Sequence, residues 1–234
     1  MWKKYLAFGS ILCSCFLLNN MAFAQQTVFN VPNADVTPPG KIYVEQESQF
    51  RTWDPNKNWL GTEYLLVGVG HNTEVGTVLY NVSSPASHNI SLAPGFKSAI
   101  PIFAKKLPNE ELKVIVGSEI PISLQGGGTG NWSFSELSGR LPVVKTRLTG
   151  GISVGTSQIF GRNAVSFIGA VEQPLTKSLT GAVDWFSGTN SNGLLIPGVI
   201  LALPKDTTFE VGYQIPNNSR CGNSGFVLEL AKLF

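Results

Sequence analysis

From residue 41 to the C-terminus, apolar side chains recur at every second position, segment after segment, with polar or small residues between them. That period belongs to a strand with two unlike faces and excludes an amphipathic helix, whose apolar residues return every three to four positions. In Thr207–Pro216 the odd positions include Phe209, Val211, Tyr213 and Ile215, and the even ones Glu210, Gly212 and Gln214. Leu112–Gln125 sets Val114, Val116, Ile120, Ile122 and Leu124 against Lys113, Gly117, Glu119, Ser123 and Gln125. Twelve such segments are legible, near 41–53, 59–70, 73–83, 90–103, 112–125, 132–142, 145–158, 163–175, 178–188, 193–203, 207–216 and 224–234. Most have the roughly nine to eleven residues that a tilted strand needs to cross a bilayer.

The breaks between segments alternate in character. Every second break is tight: His71-Asn72, Leu107-Pro108-Asn109, Pro142-Val143, Thr176-Lys177 and Pro204-Lys205-Asp206. The others are mostly longer and rich in Gly, Asn and Ser, as in 126–131 and 217–225. This is the rhythm of an all-β, antiparallel, up-and-down transmembrane β-barrel of about twelve strands, with short turns at the end where both chain termini lie. A secreted β-sandwich has strands of the same period, but its polar faces meet water and carry charge. Only 14% of the residues here are charged, against about 25% in ordinary soluble domains.

The chain opens with Lys3-Lys4, an apolar run from Tyr5 to Leu18, and Ala22-Phe23-Ala24. These are the three parts of a cleaved secretory signal peptide. The predicted organisation is therefore a signal peptide over 1–24, a periplasmic N-terminal segment over 25–40, either a small plug or a tail, and a barrel over 41–234. Cleavage leaves Cys221 as the sole thiol, in the last long loop, so no internal disulfide forms. It also leaves fifteen basic and fifteen acidic residues, a balance that gives no case for nucleic acid as a partner.

The last segment ends on Phe234, with Phe226, Leu228 and Leu230 on the same face and Lys232 departing from that pattern. A C-terminal aromatic on an alternating strand resembles the assembly signal that the barrel-assembly machinery of bacterial outer membranes reads. Thr146-Arg147-Leu148-Thr149-Gly150, Asp184-Trp185-Phe186-Ser187-Gly188 and Gly212-Tyr213-Gln214-Ile215-Pro216-Asn217 carry a wider likeness. With Val36-Thr37-Pro38-Pro39-Gly40-Lys41, they resemble small Gram-negative outer-membrane β-barrels, a group that includes barrels found beside aromatic-degradation pathways. The resemblance implies location in the cell outer membrane and contact with its lipid. It transfers no catalytic or binding residue.

If the apolar faces meet lipid, phase places Glu45, Glu47, Arg51, Glu63, Lys97, Lys113, Glu119, Arg147, Glu172, Asp184, Glu210 and Glu229 in the lumen. Glu136 and Arg140 share one face of a strand whose phase is less defined. Such a lining fits two functions. One is a passive, low-conductance channel for small solutes, acidic in character. The other is a closed barrel, filled by crossed ion pairs, with a structural or surface-binding role. Trp53, Trp59, Trp132, Trp185, Tyr43 and Tyr213 fit either stacking on an aromatic or sugar solute or an interfacial girdle, and the first three, which flank long loops, read as the girdle.

Enzyme chemistry finds little support. The two histidines, His71 and His88, fall in a tight turn and in a loop without a neighbouring carboxylate, and hydrolysis needs an oriented nucleophile and base. Gly126-Gly127-Gly128-Thr129-Gly130 lacks the Lys-Ser/Thr of a phosphate loop. No cofactor and no metal are expected.

Overall fold

The computed structural model describes residues 26–53, 59–84, 90–162 and 164–234; the proposed signal peptide lies outside them. Thirteen strands follow in chain order: β1 (Ile42–Phe50), β2 (Trp59–Gly70), β3 (Thr73–Ser84), β4 (Ser91–Pro101), β5 (Lys113–Glu119), β6 (Ile122–Ser123), β7 (Trp132–Arg140), β8 (Arg147–Gly155), β9 (Ala164–Pro174), β10 (Leu179–Phe186), β11 (Leu194–Leu203), β12 (Thr207–Pro216) and β13 (Gly225–Leu233). The two-residue β6 continues β5 along the same neighbour, β4, after the break at Ile120-Pro121. Proline has no N–H to give the ladder, which accounts for an interruption there. The wall is thus twelve strands around.

All pairings are antiparallel, β1 pairs with β13, and β3 pairs with β4, so the sheet has no edge. Closure is what lets a sheet stand in hydrocarbon, because every ladder N–H and C=O finds a partner within the wall. Helix among the described residues is confined to one turn, α1 (Ser157–Phe160), and a 3₁₀ turn at Ser219–Cys221.

The short turns gather at one end with the start of β1 and the end of β13, where Ile42 and Phe234 exchange backbone hydrogen bonds. His71 and Asn72 both have positive φ, 51° and 54°, as do Lys205 and Asp206, 62° and 53°. Left-handed residue pairs match the twist of tight antiparallel turns. The long loops gather at the opposite end.

Along each strand, exposure alternates. Leu65, Val67 and Val69, or Leu148, Ile152 and Val154, face outward, and their neighbours Tyr64, Leu66, Arg147, Thr149 and Ser153 face in and are buried. Phe226, Leu230 and Phe234 face outward on β13, and Lys232, with its ammonium 5.7 Å from the Phe234 ring centre, shares that face. Trp53, Trp59, Trp185 and Tyr213 lie on the outside toward the loop end, spread along the wall from β2 to β10, and the Trp53 indole N–H donates to the Tyr213 hydroxyl at 3.2 Å. Trp132 departs from the girdle expectation. It is buried inside the barrel and donates to Ser153 Oγ at 2.6 Å, because it shares the inward face of β7 with Phe134 and Glu136.

Candidate functional site

Residues 26–37 are enclosed by the strands. Sequence left this stretch open between a plug and a tail on the periplasmic side; here it enters from the turn end and folds into the lumen. Its exit past the wall is fixed at Gly68, whose backbone exchanges hydrogen bonds with Gly40 and Lys41. Inside, Val28 N–H donates to the Val31 carbonyl at 2.8 Å and Asn33 N–H to that of Gln26 at 3.1 Å. The result is a narrow turn with Phe29 at its tip.

Phe29 has φ of 134° and no solvent exposure. A non-glycine residue in that region is strained and must be held by its surroundings. The holding is visible at Gly198 on β11 and Gly212 on β12: a Cβ on either would come within 2.5 or 3.0 Å of the Phe29 ring. Two adjacent strands thus leave a floor without side chains for this one ring.

Wall charges hold the segment's backbone, the charge-assisted type of hydrogen bond. On β10, Asp184 Oδ2 accepts from the N–H groups of Asn30 and Val31 at 2.6 and 2.9 Å. On β3, Glu74 Oε2 accepts from Thr37 N–H at 2.6 Å and from the Gln26 side chain at 2.8 Å. Lys97 Nζ on β4 donates to the Gln26 carbonyl at 2.9 Å and stands 3.2 Å from Glu74 Oε1. Lys113 Nζ on β5 donates to the Ala34 carbonyl at 2.9 Å. On β8, Arg147 grips Asp35 with two hydrogen bonds, 2.7 and 3.2 Å, and lies 3.7 Å from Glu172 on β9. Burial and these charges act in opposite directions on Asp35. Burial pushes its carboxyl up, but Arg147, helped by Lys113 and Lys97, wins and holds it below the usual carboxylate range.

Of the residues assigned to the lumen by phase, Glu45, Glu47, Lys97, Arg147, Glu172, Asp184, Glu210 and Glu229 are buried on inward faces. Lys113 and Glu119 also face in, and Glu119 accepts from the Tyr80 hydroxyl at 2.5 Å. Arg51 lies beyond β1 at the loop end, donating to the Asn223 carbonyl at 2.9 Å. Glu63 is a correction: it faces outward, in register with Gln46 and Leu79. Two apolar faces, with Tyr64 and Leu66 inward against Leu65 and Val67 outward, hid the phase of β2; the register shift beside Glu63 places its extra residue on β3, where Tyr80 and Asn81 stand opposite Thr62, and leaves the alternation of β2 unbroken.

Sequence phase singled out neither Glu74 nor Asp35, the two acids that tie the segment at its ends. Glu74 alternates with Thr73 and Val75, the pattern that marked the other lumen acids. Asp35 carries no such signal, because residues 25–40 have no period.

Glu47, Glu229 and Glu210 stand side by side across β1, β13 and β12. Both carboxylate oxygens of Glu229 and of Glu136 make no hydrogen bond to described protein groups. Two cavities border the internal segment on one side. One, of about 140 Å³, lies at the loop end over Asn30; the other, of about 30 Å³, reaches Gln26, Glu74 and Lys97. Tyr64 and Trp132 line both and stand between them. At the loop end, Cys221 is 4% exposed and packs beneath the loop surface against Gly193.

No protein-family model and no curated protein matches this sequence. Solved structures similar to it include the following two. The NanC porin structure is 12% identical, covering 82% of this chain and 98% of that one with a TM-score of 0.49. The translocator domain of the autotransporter NalP from Neisseria meningitidis is 11% identical, covering 99% and 95%, with a TM-score of 0.39. Likeness at this level assigns no role to any residue.

Proposed function

We propose that this chain is a channel of the bacterial outer membrane for small polar solutes, gated by its own N-terminal segment. The observation that carries the reading is how that segment is held. Asp184, Glu74, Lys97, Lys113 and Arg147 bind it through backbone groups, the Gln26 amide and one acid, Asp35, contacts that water can replace when the segment leaves. A wall meant to stay dry gains little from carboxylates such as Glu229 and Glu136, whose burial without partners is costly. The two cavities that meet at Tyr64 and Trp132 mark a route from the loop end to the Gln26–Glu74–Lys97 cluster.

The apolar outer face supports lipid as the surrounding medium, and the Phe226–Phe234 face of β13 supports recognition by the barrel-assembly machinery. The signal-peptide pattern of residues 1–24 supports export. A closed structural barrel is the second reading, favoured by the complete burial of Val28, Phe29 and Val31. Reversal potentials separate the two. In a potassium chloride gradient, a chain lacking residues 26–37, folded by the criterion of heat-modifiable gel mobility, passes potassium in preference to chloride. No current from the folded shortened chain favours the closed barrel.

A further inference from the structure

We infer that the cavity at the loop end is a binding site for one neutral polyhydroxylated ring, of monosaccharide size, seated above the tip of the internal segment. The inference deepens the channel reading and rests on it. At about 140 Å³ the cavity is close to the ~150 Å³ that takes one benzene ring in a closed protein interior; because it is not closed, it holds the ring of a pyranose only with the ring's substituents reaching past its mouth. It is too small for a disaccharide.

Its lining has the chemistry of a ring with one hydrogen-bearing face and a polar rim. Tyr80 and Trp132 line it while their polar atoms are engaged elsewhere, the hydroxyl by Glu119 and the indole N–H by Ser153. What these two offer the cavity is aromatic carbon, suited to the C–H face of a pyranose. Asn30, Thr62, Tyr64 and Asn192 supply side-chain amides and hydroxyls that make no hydrogen bond to another described residue. A few such groups around an apolar patch are what orients a small ligand.

Charge selects against ions. Glu47 and Arg51 both border the cavity, and each already has a neutral protein partner. Gln49 donates to Glu47, and Arg51 donates to the Asn223 carbonyl. The site is neutral in sum and draws neither an anion nor a cation. Asn30 joins it to the gate, since the same residue's N–H is held by Asp184.

The test is isothermal titration of refolded residues 25–234 with glucose, glucuronate, glucosamine and phenol. Glucose binds saturably at one site, and the other three bind at least tenfold more weakly. Tyr64→Phe and Asn192→Ala, each losing one hydrogen bond, weaken glucose by about two- to tenfold while the folded mobility is kept. Absence of saturation, preference for phenol or a charged sugar, or unchanged affinity in both folded variants would overturn the inference. Current through the shortened chain is measured alongside. Glucose failing to bind while that chain conducts sinks this inference alone; a silent shortened chain sinks the channel reading.

Discussion

Arg147 on the barrel wall and Asp35 in the internal segment, 112 residues apart, form a two-pronged ion pair at 2.7 and 3.2 Å. Among the described residues it is the one ion pair in which a side-chain charge of the segment answers a charge of the wall. Removing Arg147 leaves Asp35 and Glu172 facing each other without a cation between them, so Arg147→Gln loosens the segment by roughly 2 kcal/mol. Limited proteolysis of the folded barrel reads this directly. The variant loses its N-terminal segment faster than the parent while the barrel resists.

The same pair gives the gate an acid limit. Asp35 titrates below its ordinary value near ~3.9, so the anion is the form the folded state prefers. Its contribution is complete above that value and is lost as pH falls through the lower value of the folded state. Segment release therefore rises on strong acidification, and Asp35→Asn, already lacking the charge, shows a smaller rise. Equal pH profiles for parent and Asp35→Asn contradict this assignment.

On β10, adjacent residues face opposite media. Val183 is outward and Asp184 inward. An arginine near the midplane of the lipid face costs about 2–4 kcal/mol, so Val183→Arg lowers the yield of heat-modifiable barrel. Asp184→Ala leaves assembly intact and frees the N–H groups of Asn30 and Val31, exposing the segment to protease. Normal folding of Val183→Arg together with failed assembly of Asp184→Ala reverses the faces of this strand.

Alternation made the wall legible because lipid and lumen are unlike media and each strand answers both. All twelve segments lie where their period put them, within a few residues. Legibility failed where that contrast failed. Glu63 lies on a strand with apolar residues on both faces. Trp132 suits an interface and a lumen equally, and only its shared face with Glu136 could have decided. The plug had no local signal, because Asp184 holds Asn30 across 154 residues and nothing in 25–40 repeats.

Cys221 sits in the last long loop, but its thiol is buried against Gly193 and Gly188. A membrane-impermeant maleimide leaves it unlabelled in the folded barrel and labels it after boiling. Rapid labelling of the folded form would mean that the loop is open over the lumen.

Single-channel recording in planar bilayers shows whether residues 26–37 are the gate. Residues 25–234 insert and stay mostly closed, with brief openings that lengthen in Asp184→Ala. The chain lacking 26–37 stays open at a steady level. Long-lived openings of the same size with the segment present as with it removed would mean that residues 26–37 do not gate the barrel.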